Sequence, residues 1–195
     1  MKLRGLYAVT PHGAGVERKV RLALEGGIAL LQYRSKERNP AQAAAIVRLA
    51  KEFGVPVIIN DDVELALELG ADGAHLGRND GDLAAARERL RGRTLGASCY
   101  NELAQARTAV AAGADYVAFG SVFASPTKPD AVRAPLALFS DAKALGVPLA
   151  AIGGITLETA PQLIQAGADL LAVISDLFEA PDIRQRARAY GRLFA

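Results

Sequence analysis

Short apolar runs recur along the chain, each following a helix-patterned segment that ends near a glycine. Three are worded alike: GADGAHLG from Gly70, GADYVAFG from Gly113 and GADLLAVIS from Gly167. Two more, GVPVIIN from Gly54 and GVPLAAIGG from Gly146, open the run with proline. A glycine placed there takes the left-handed conformation that ends a helix, and a short continuous apolar run suits a strand buried in a parallel sheet. The pattern predicts eight strands, at 6–9, 30–33, 57–60, 73–76, 94–97, 116–119, 149–152 and 171–174. Between them, segments such as PAQAAAIVRLAKEF, DLAAARERLRG and NELAQARTAVAA set apolar residues at helical spacing, and several open on Asn, Asp or Pro as helix starts do. Eight βα units of roughly 24 residues each predict an α/β protein, a single (β/α)8 TIM barrel over residues 1–195. An open doubly wound sheet would seldom need eight such evenly spaced units.

Composition narrows the classes. With 51% of its residues apolar, the chain can bury one large core. Lys and Arg number 23 against 21 Asp and Glu, so there is no global charge that favours nucleic acid or an anionic membrane, and any anion site is local. The one cysteine, Cys99, excludes an internal disulfide framework, fits a reducing compartment and reads as core filler. The N-terminus turns polar and Gly-rich too early for a signal-peptide core, and no apolar run reaches bilayer length. A soluble, cytoplasmic protein is expected, and a homodimer is compatible with the sequence.

In a (β/α)8 barrel the chemistry gathers at the carboxyl ends of the strands. In LLQYRSK, residues 30–36, Gln32, Arg34 and Lys36 fall at alternate positions, which in a strand share one face. Strand 3 runs into Asn60, Asp61 and Asp62; strand 4 into HLGRND, ending at Asp80; strand 5 into Ser98. Strand 6 is followed by GSVFASPTKP with Ser125, Thr127 and Lys128, strand 7 by Gly153, Gly154 and Ile155, and strand 8 by Ser175. Singly, Lys36 reads as well as a solvated loop charge, Asp62 as a helix cap, Gly153 and Gly154 as a turn, and His75 as a hydrogen-bonded core histidine. Their convergence on one rim argues for ligands. Arg34, Lys36 and Lys128 can neutralise a diphosphate, while Asp61 and Asp80 are hard oxygen ligands suited to Mg²⁺. The GGI backbone and the amides near Ile174 and Ser175 match the barrel's recurrent monophosphate site, and two anion sites imply two substrates. The sequence offers no well-supported Ser–His or Cys–His pair, which fits chemistry without a protein nucleophile.

The stretches QYRSK, INDD, GAHLGRND, GAS, FGSVFASPTKP, AIGGI and AVIS, in this order over nearly the whole chain, closely resemble the thiamine-phosphate synthase family. The resemblance implies a (β/α)8 barrel, Mg²⁺, and the joining of 4-amino-2-methyl-5-(diphosphomethyl)pyrimidine to a thiazole phosphate with release of diphosphate. By that resemblance Gln32 contacts the pyrimidine, Arg34, Lys36, Asn60 and Lys128 bind the diphosphate, and Asp61 and Asp80 ligate the metal. Ser98 lies near the pyrimidine and diphosphate, Ser125 and Thr127 near the thiazole phosphate, and Gly154, Ile174 and Ser175 hold that phosphate; Arg34, Ser98 and Lys128 are the implied catalytic set. Two departures stand out. Arg78 and Asn79 follow Gly77 where the family usually has glutamine, so a cation is expected beside Asp80, and Ser125 replaces a commoner threonine. Thiazole tautomerases are related barrels that rely on a histidine where Tyr100 stands here, and they lack the metal carboxylates. A non-catalytic barrel that binds ligands of the thiamine pathway is the other alternative.

Overall fold

The computed structural model describes residues 3–124 and 132–195. Eight strands, β1 (Gly5–Val9), β2 (Leu30–Tyr33), β3 (Val57–Asn60), β4 (Gly73–Leu76), β5 (Thr94–Tyr100), β6 (Tyr116–Phe119), β7 (Leu149–Ile152) and β8 (Leu170–Val173), pair in parallel in sequence order. β8 returns to β1 and closes the barrel, with Leu6 opposite Leu171 and Tyr7 opposite Ala172. Helices α1 (Val16–Gly26), α2 (Pro40–Glu52), α3 (Val63–Glu68), α4 (Leu83–Arg89), α5 (Leu103–Ala111), α6 (Ala137–Ala142), α7 (Ala160–Ala166), α8 (Ser175–Phe178) and α9 (Ile183–Arg192) lie outside it. Among the described residues, no helix is long and apolar enough to cross a membrane.

The repeated GAD stretches have a physical reason beyond their glycine. Gly113 and Gly167 stand at φ 96° and 117°, as helix-ending residues should. The aspartate two residues on clasps the start of the preceding strand at two points. Asp115 donates its amide to the Leu95 carbonyl (2.7 Å) and accepts from the Leu95 amide through Oδ2 (2.7 Å). Asp72 does the same to Val57 and Asp169 to Leu149. Each clasp satisfies backbone groups at the amino end of a strand, where a loop would otherwise leave them open. At helix starts, Asn39, Asp62, Asp82 and Asp182 accept from the amides of Gln42, Leu65, Ala85 and Gln185 at 2.8–3.1 Å. The bland reading of Asp62 therefore holds.

Alternation along the strands divides the apolar residues into two cores. Leu31, Tyr33, Val57, Ile59, Ala74, Leu76 and Leu95 face outward beneath the helices, while Tyr7, Val9, Leu30, Ile58, Tyr116, Ala150 and Leu170 fill the barrel. The strand register puts Val9 opposite Gln32, Asn60 opposite His75 and Ser98 opposite Ala118, so the inward face turns polar toward the carboxyl ends of β2 to β5. Among the described residues, the buried polar side chains are Thr10, Gln32 and His75.

Two strand ends differ from expectation. β5 continues to Tyr100, with a register shift between Ser98 and Tyr100 that leaves Tyr100 at φ 53°. Ser98 therefore belongs to the strand and not to the loop after it. β8 spans Leu170–Val173, one residue earlier than predicted, so Ile174 is the residue that caps α8.

Candidate active site

Cationic side chains gather where β1 and β2 end. β2 stops at Tyr33, so the expectation that Gln32, Arg34 and Lys36 share a strand face holds only for its first member: Gln32 is buried in the barrel, Arg34 is half-buried at the rim, and Lys36 is exposed. Thr10, just past β1, fixes the exit of the strand. Its Oγ1 accepts from the Arg34 amide (2.8 Å) and donates to the Arg34 carbonyl (3.0 Å). Arg34, Lys36, Arg38, His12, Asn39 and Gln42 line an open cavity of about 270 Å³. Burial, reinforced by the Arg34 and Lys36 charges, lowers the His12 imidazole below its ordinary pKa, as expected in a positive field that would attract an anion.

The carboxylates meet at the ends of β3 and β4. Asp61 occupies a left-handed backbone position at φ 62°, its amide donating across to the His75 carbonyl (2.8 Å) and its Oδ2 accepting from Asn60 Nδ2 (2.5 Å). Asp80 Oδ2 accepts from the Gly77 amide (2.8 Å), and a Cβ at Gly77 would lie 2.7 Å from that same oxygen, so any side chain there would displace the carboxylate. Burial and the neighbouring Asp80 push the Asp61 carboxyl up to about 6, against the opposing pull of Arg34 and Asn60. Two carboxylates pressed together in this way hold a proton, or a cation, between them. Among the described residues, no group of three or more metal-type side chains occurs.

Arg78, two residues before Asp80, has partners of its own. Its guanidinium donates to Glu102 (2.5 Å) and Gln105 (3.1 Å) and lies 4.8 Å from the centre of the Tyr100 ring. Its charge is paired with that of Glu102. The same pairing explains why Glu102, at the start of α5, makes no side-chain cap bond.

Inside the barrel a chain of hydrogen bonds crosses five strands. Gln32 Nε2 donates to the Tyr7 hydroxyl (2.5 Å), Tyr7 meets the Tyr116 hydroxyl (2.7 Å), Tyr116 meets His75 Nδ1 (2.9 Å), and His75 Nε2 meets Ser98 Oγ (2.8 Å). His75 is thus the hydrogen-bonded core histidine expected, but it also forms a Ser–His pair across β4 and β5 that nothing in the local pattern foretells. Burial lowers its imidazole to about 4, opposed by Asp80, and raises both tyrosines well above their ordinary range. Cys99 is buried on the outward face with its thiol pushed up to about 12, as a core residue should be. Tyr7, Thr10, His12 and Tyr116 escaped the sequence reading because tyrosines in apolar runs look like packing and the end of β1 looked featureless. The available signal was the glycine facing one ring: a Cβ at Gly96 would stand 2.2 Å from Tyr116.

On the opposite side, Gly153 and Gly154 follow β7 at φ 105° and 64° and pack on residues 121–124, with Val122 donating to the Ile152 carbonyl and Phe123 to that of Gly153, both at 3.0 Å. The amides of Gly153, Gly154, Ile174 and Ser175 have no backbone acceptor among the described residues, the arrangement that a backbone anion site needs. Ser125, Thr127 and Lys128 lie outside the described residues.

Comparison with known proteins supplies the lineage. The thiamine monophosphate synthase family matches residues 6–177. A thiamine-phosphate synthase of Aromatoleum aromaticum is 58% identical, over 99% of this chain and 97% of its own length, and one of an Azoarcus species is 56% identical over 100% and 98%. In three dimensions, a thiamine phosphate pyrophosphorylase from Pyrococcus furiosus superposes with a TM-score of 0.87 at 30% identity, covering 99% of this chain and 96% of that one. With identity at this level sustained from end to end, on a closed barrel whose polar inner residues crowd one rim, the chain belongs to the thiamine monophosphate synthase family.

Proposed function

We propose that this protein joins 4-amino-2-methyl-5-(diphosphomethyl)pyrimidine to a thiazole phosphate, forming thiamine phosphate and releasing diphosphate, as one catalytic unit over residues 1–195 in the cytoplasm. The observation that carries the reading is the meeting of Asp61 and Asp80 on the rim where Arg34 acts on Asp61, in a chain so close to named thiamine-phosphate synthases. The donor set suits Mg²⁺: Asp61 and Asp80 are two hard carboxylates, and the proton affinity of Asp61, raised to about 6 by burial and by Asp80, would be relieved by a divalent ion held between them. When bound there, Mg²⁺ supplies neutralising charge to the leaving diphosphate.

The chain's own residues account for the rest. Arg34 and Lys36, with Lys128 and Asn60, hold the diphosphate and stabilise the charge that grows on it as the C–O bond breaks. Gln32 orients the aminopyrimidine, which spreads the positive charge left behind, until the thiazole nitrogen attacks. Ser98 stands beside the reacting group. The open amides of Gly154, Ile174 and Ser175, with the hydroxyls of Ser125 and Thr127, take the thiazole phosphate. In the test, the purified chain is incubated with both substrates and Mg²⁺, and thiamine phosphate and diphosphate are quantified. Equal amounts of the two products, formed only when both substrates and metal are present, are expected; binding of both substrates without product would leave a binding barrel instead.

A further inference from the structure

The buried relay has a direction. Gln32 gives an Nε2 proton to Tyr7, so the Tyr7 oxygen is already an acceptor and its own proton has Tyr116 as its neighbouring acceptor. Tyr116, accepting in turn, sends its proton to His75 Nδ1. With Gln32 Nε2 facing Tyr7, any other arrangement strands a hydroxyl proton in a fully buried site, and among the described residues no buried side-chain polar atom lacks a partner. With Nδ1 accepting, the imidazole proton sits on Nε2 and points at Ser98 Oγ.

We propose that His75 is a positioning residue for the reaction: fixed by Tyr7 and Tyr116 as the Nε2–H tautomer, it donates to Ser98 Oγ and thereby turns the serine's own proton outward as a donor to the substrate. The Ser98–His75 pair resembles a nucleophile and its base, but its polarity is the reverse. A nitrogen that already carries the proton cannot take one from the serine, so the pair fixes the direction of a hydrogen bond and creates no nucleophile. At the far end the same relay commits the Gln32 amide, with Nε2 inward and Oε1 left as its acceptor. The mouth then offers one acceptor at β2 and one donor at β5, a pairing complementary to a ring that carries an amino donor and a separate acceptor atom. An oxo group in place of the amino group would meet Gln32 acceptor to acceptor. This role rests on the thiamine-phosphate synthase reading, in which Gln32 and Ser98 meet the substrate.

The chain has two histidines, His12 and His75, which makes the tautomer directly observable. In ¹⁵N-histidine-labelled protein, with a His12→Asn sample used for assignment, the ring of His75 should show a protonated Nε2 and an unprotonated Nδ1 at neutral pH; the opposite tautomer overturns the relay. His75→Phe should lower turnover roughly three- to tenfold, the effect of one hydrogen bond, and Tyr116→Phe should both mix the tautomers and lower turnover. In a Ser98→Ala background, His75→Phe should cost less than about twofold, because the serine through which it acts is gone. An undiminished loss in that background means that His75 serves only the fold. The tautomer measurement needs no variant that might misfold. The expected tautomer in a chain without turnover sinks the functional reading and the role given to His75 together, whereas the wrong tautomer in an active enzyme sinks the relay alone.

Discussion

Asp61 sits in a left-handed backbone region that L residues enter at a cost and that aspartate and asparagine tolerate best. Asp61→Asn should therefore fold as the parent does while removing one charge from the proposed metal site, raising the Mg²⁺ concentration for half-maximal rate by roughly tenfold. Asp61→Ala should shift the metal dependence similarly and in addition lose about 1 kcal/mol of stability in urea unfolding. If Asp61→Asn titrates with Mg²⁺ like the parent, Asp61 is not a ligand. Arg78 gives the converse case. Since its guanidinium is engaged by Glu102 and the Tyr100 face, Arg78→Ala should leave the Mg²⁺ titration in place, and a shift to tighter metal binding would show that its charge reaches Asp80 after all. The placement of single charged residues at strand ends was readable in the sequence, and Asp61 and Asp80 do meet at the ends of β3 and β4. Tyr7 and Tyr116 were not, because a phenol in an apolar run shows its polar tip only once the facing strands are in place.

At the scale of the element, β5 is where packing and site meet. Gly96 faces inward, and the Tyr116 ring occupies the space a side chain would need, with its hydroxyl held by Tyr7 and His75. Gly96→Ala would put a methyl group 2.2 Å from a ring carbon that has nowhere to move. The expected cost is about 3 kcal/mol in urea unfolding, the upper range for overpacking, together with loss of the His75 tautomer set by Tyr116. A variant as stable as the parent would mean that the ring can yield. Strand beginnings were legible because a glycine and an aspartate mark them chemically. The end of β5 was not: Ser98 and Tyr100 read as loop residues, whereas the strand continues through them, and the register shift between them is set by pairing with β6, which no local pattern encodes. The two-point clasp by Asp72, Asp115 and Asp169 was likewise hidden, since its partner lies in the preceding strand.

For the molecule as a whole, eight evenly spaced units made the closed barrel legible, while the balance of forces inside its mouth emerges only from closure. Two groups there, buried His75 and Asp61 at the rim, are linked to folding with opposite signs. His75 titrates at about 4 in the folded chain against 6.5 ordinarily, so between these values the unfolded chain binds a proton that the folded one refuses. Its contribution is complete above pH 6.5 and is lost as pH falls toward 4, amounting to about 3 kcal/mol. The Asp61–Asp80 pair does the reverse: with Asp61 raised from 3.8 to about 6, the folded chain holds a proton that the unfolded one releases, so this contribution is present at low pH and is lost as pH rises through 6. Over the shared window from about 4 to 6 the two slopes oppose one another. Metal-free Asp61→Asn removes the carboxyl partner's term and leaves that of His75, so its stability should fall relative to the parent's as pH drops from 6.5 to 4.5. His75→Phe should shift the difference the other way. Urea midpoints at pH 4.5, 5.5 and 6.5, at constant ionic strength and with chelator present, measure both differences. Groups elsewhere cancel in the comparison with the parent, so an Asp61→Asn profile parallel to the parent's would show that the raised carboxyl is not linked to folding, and the close approach of Asp61 to Asp80 would have to be given up.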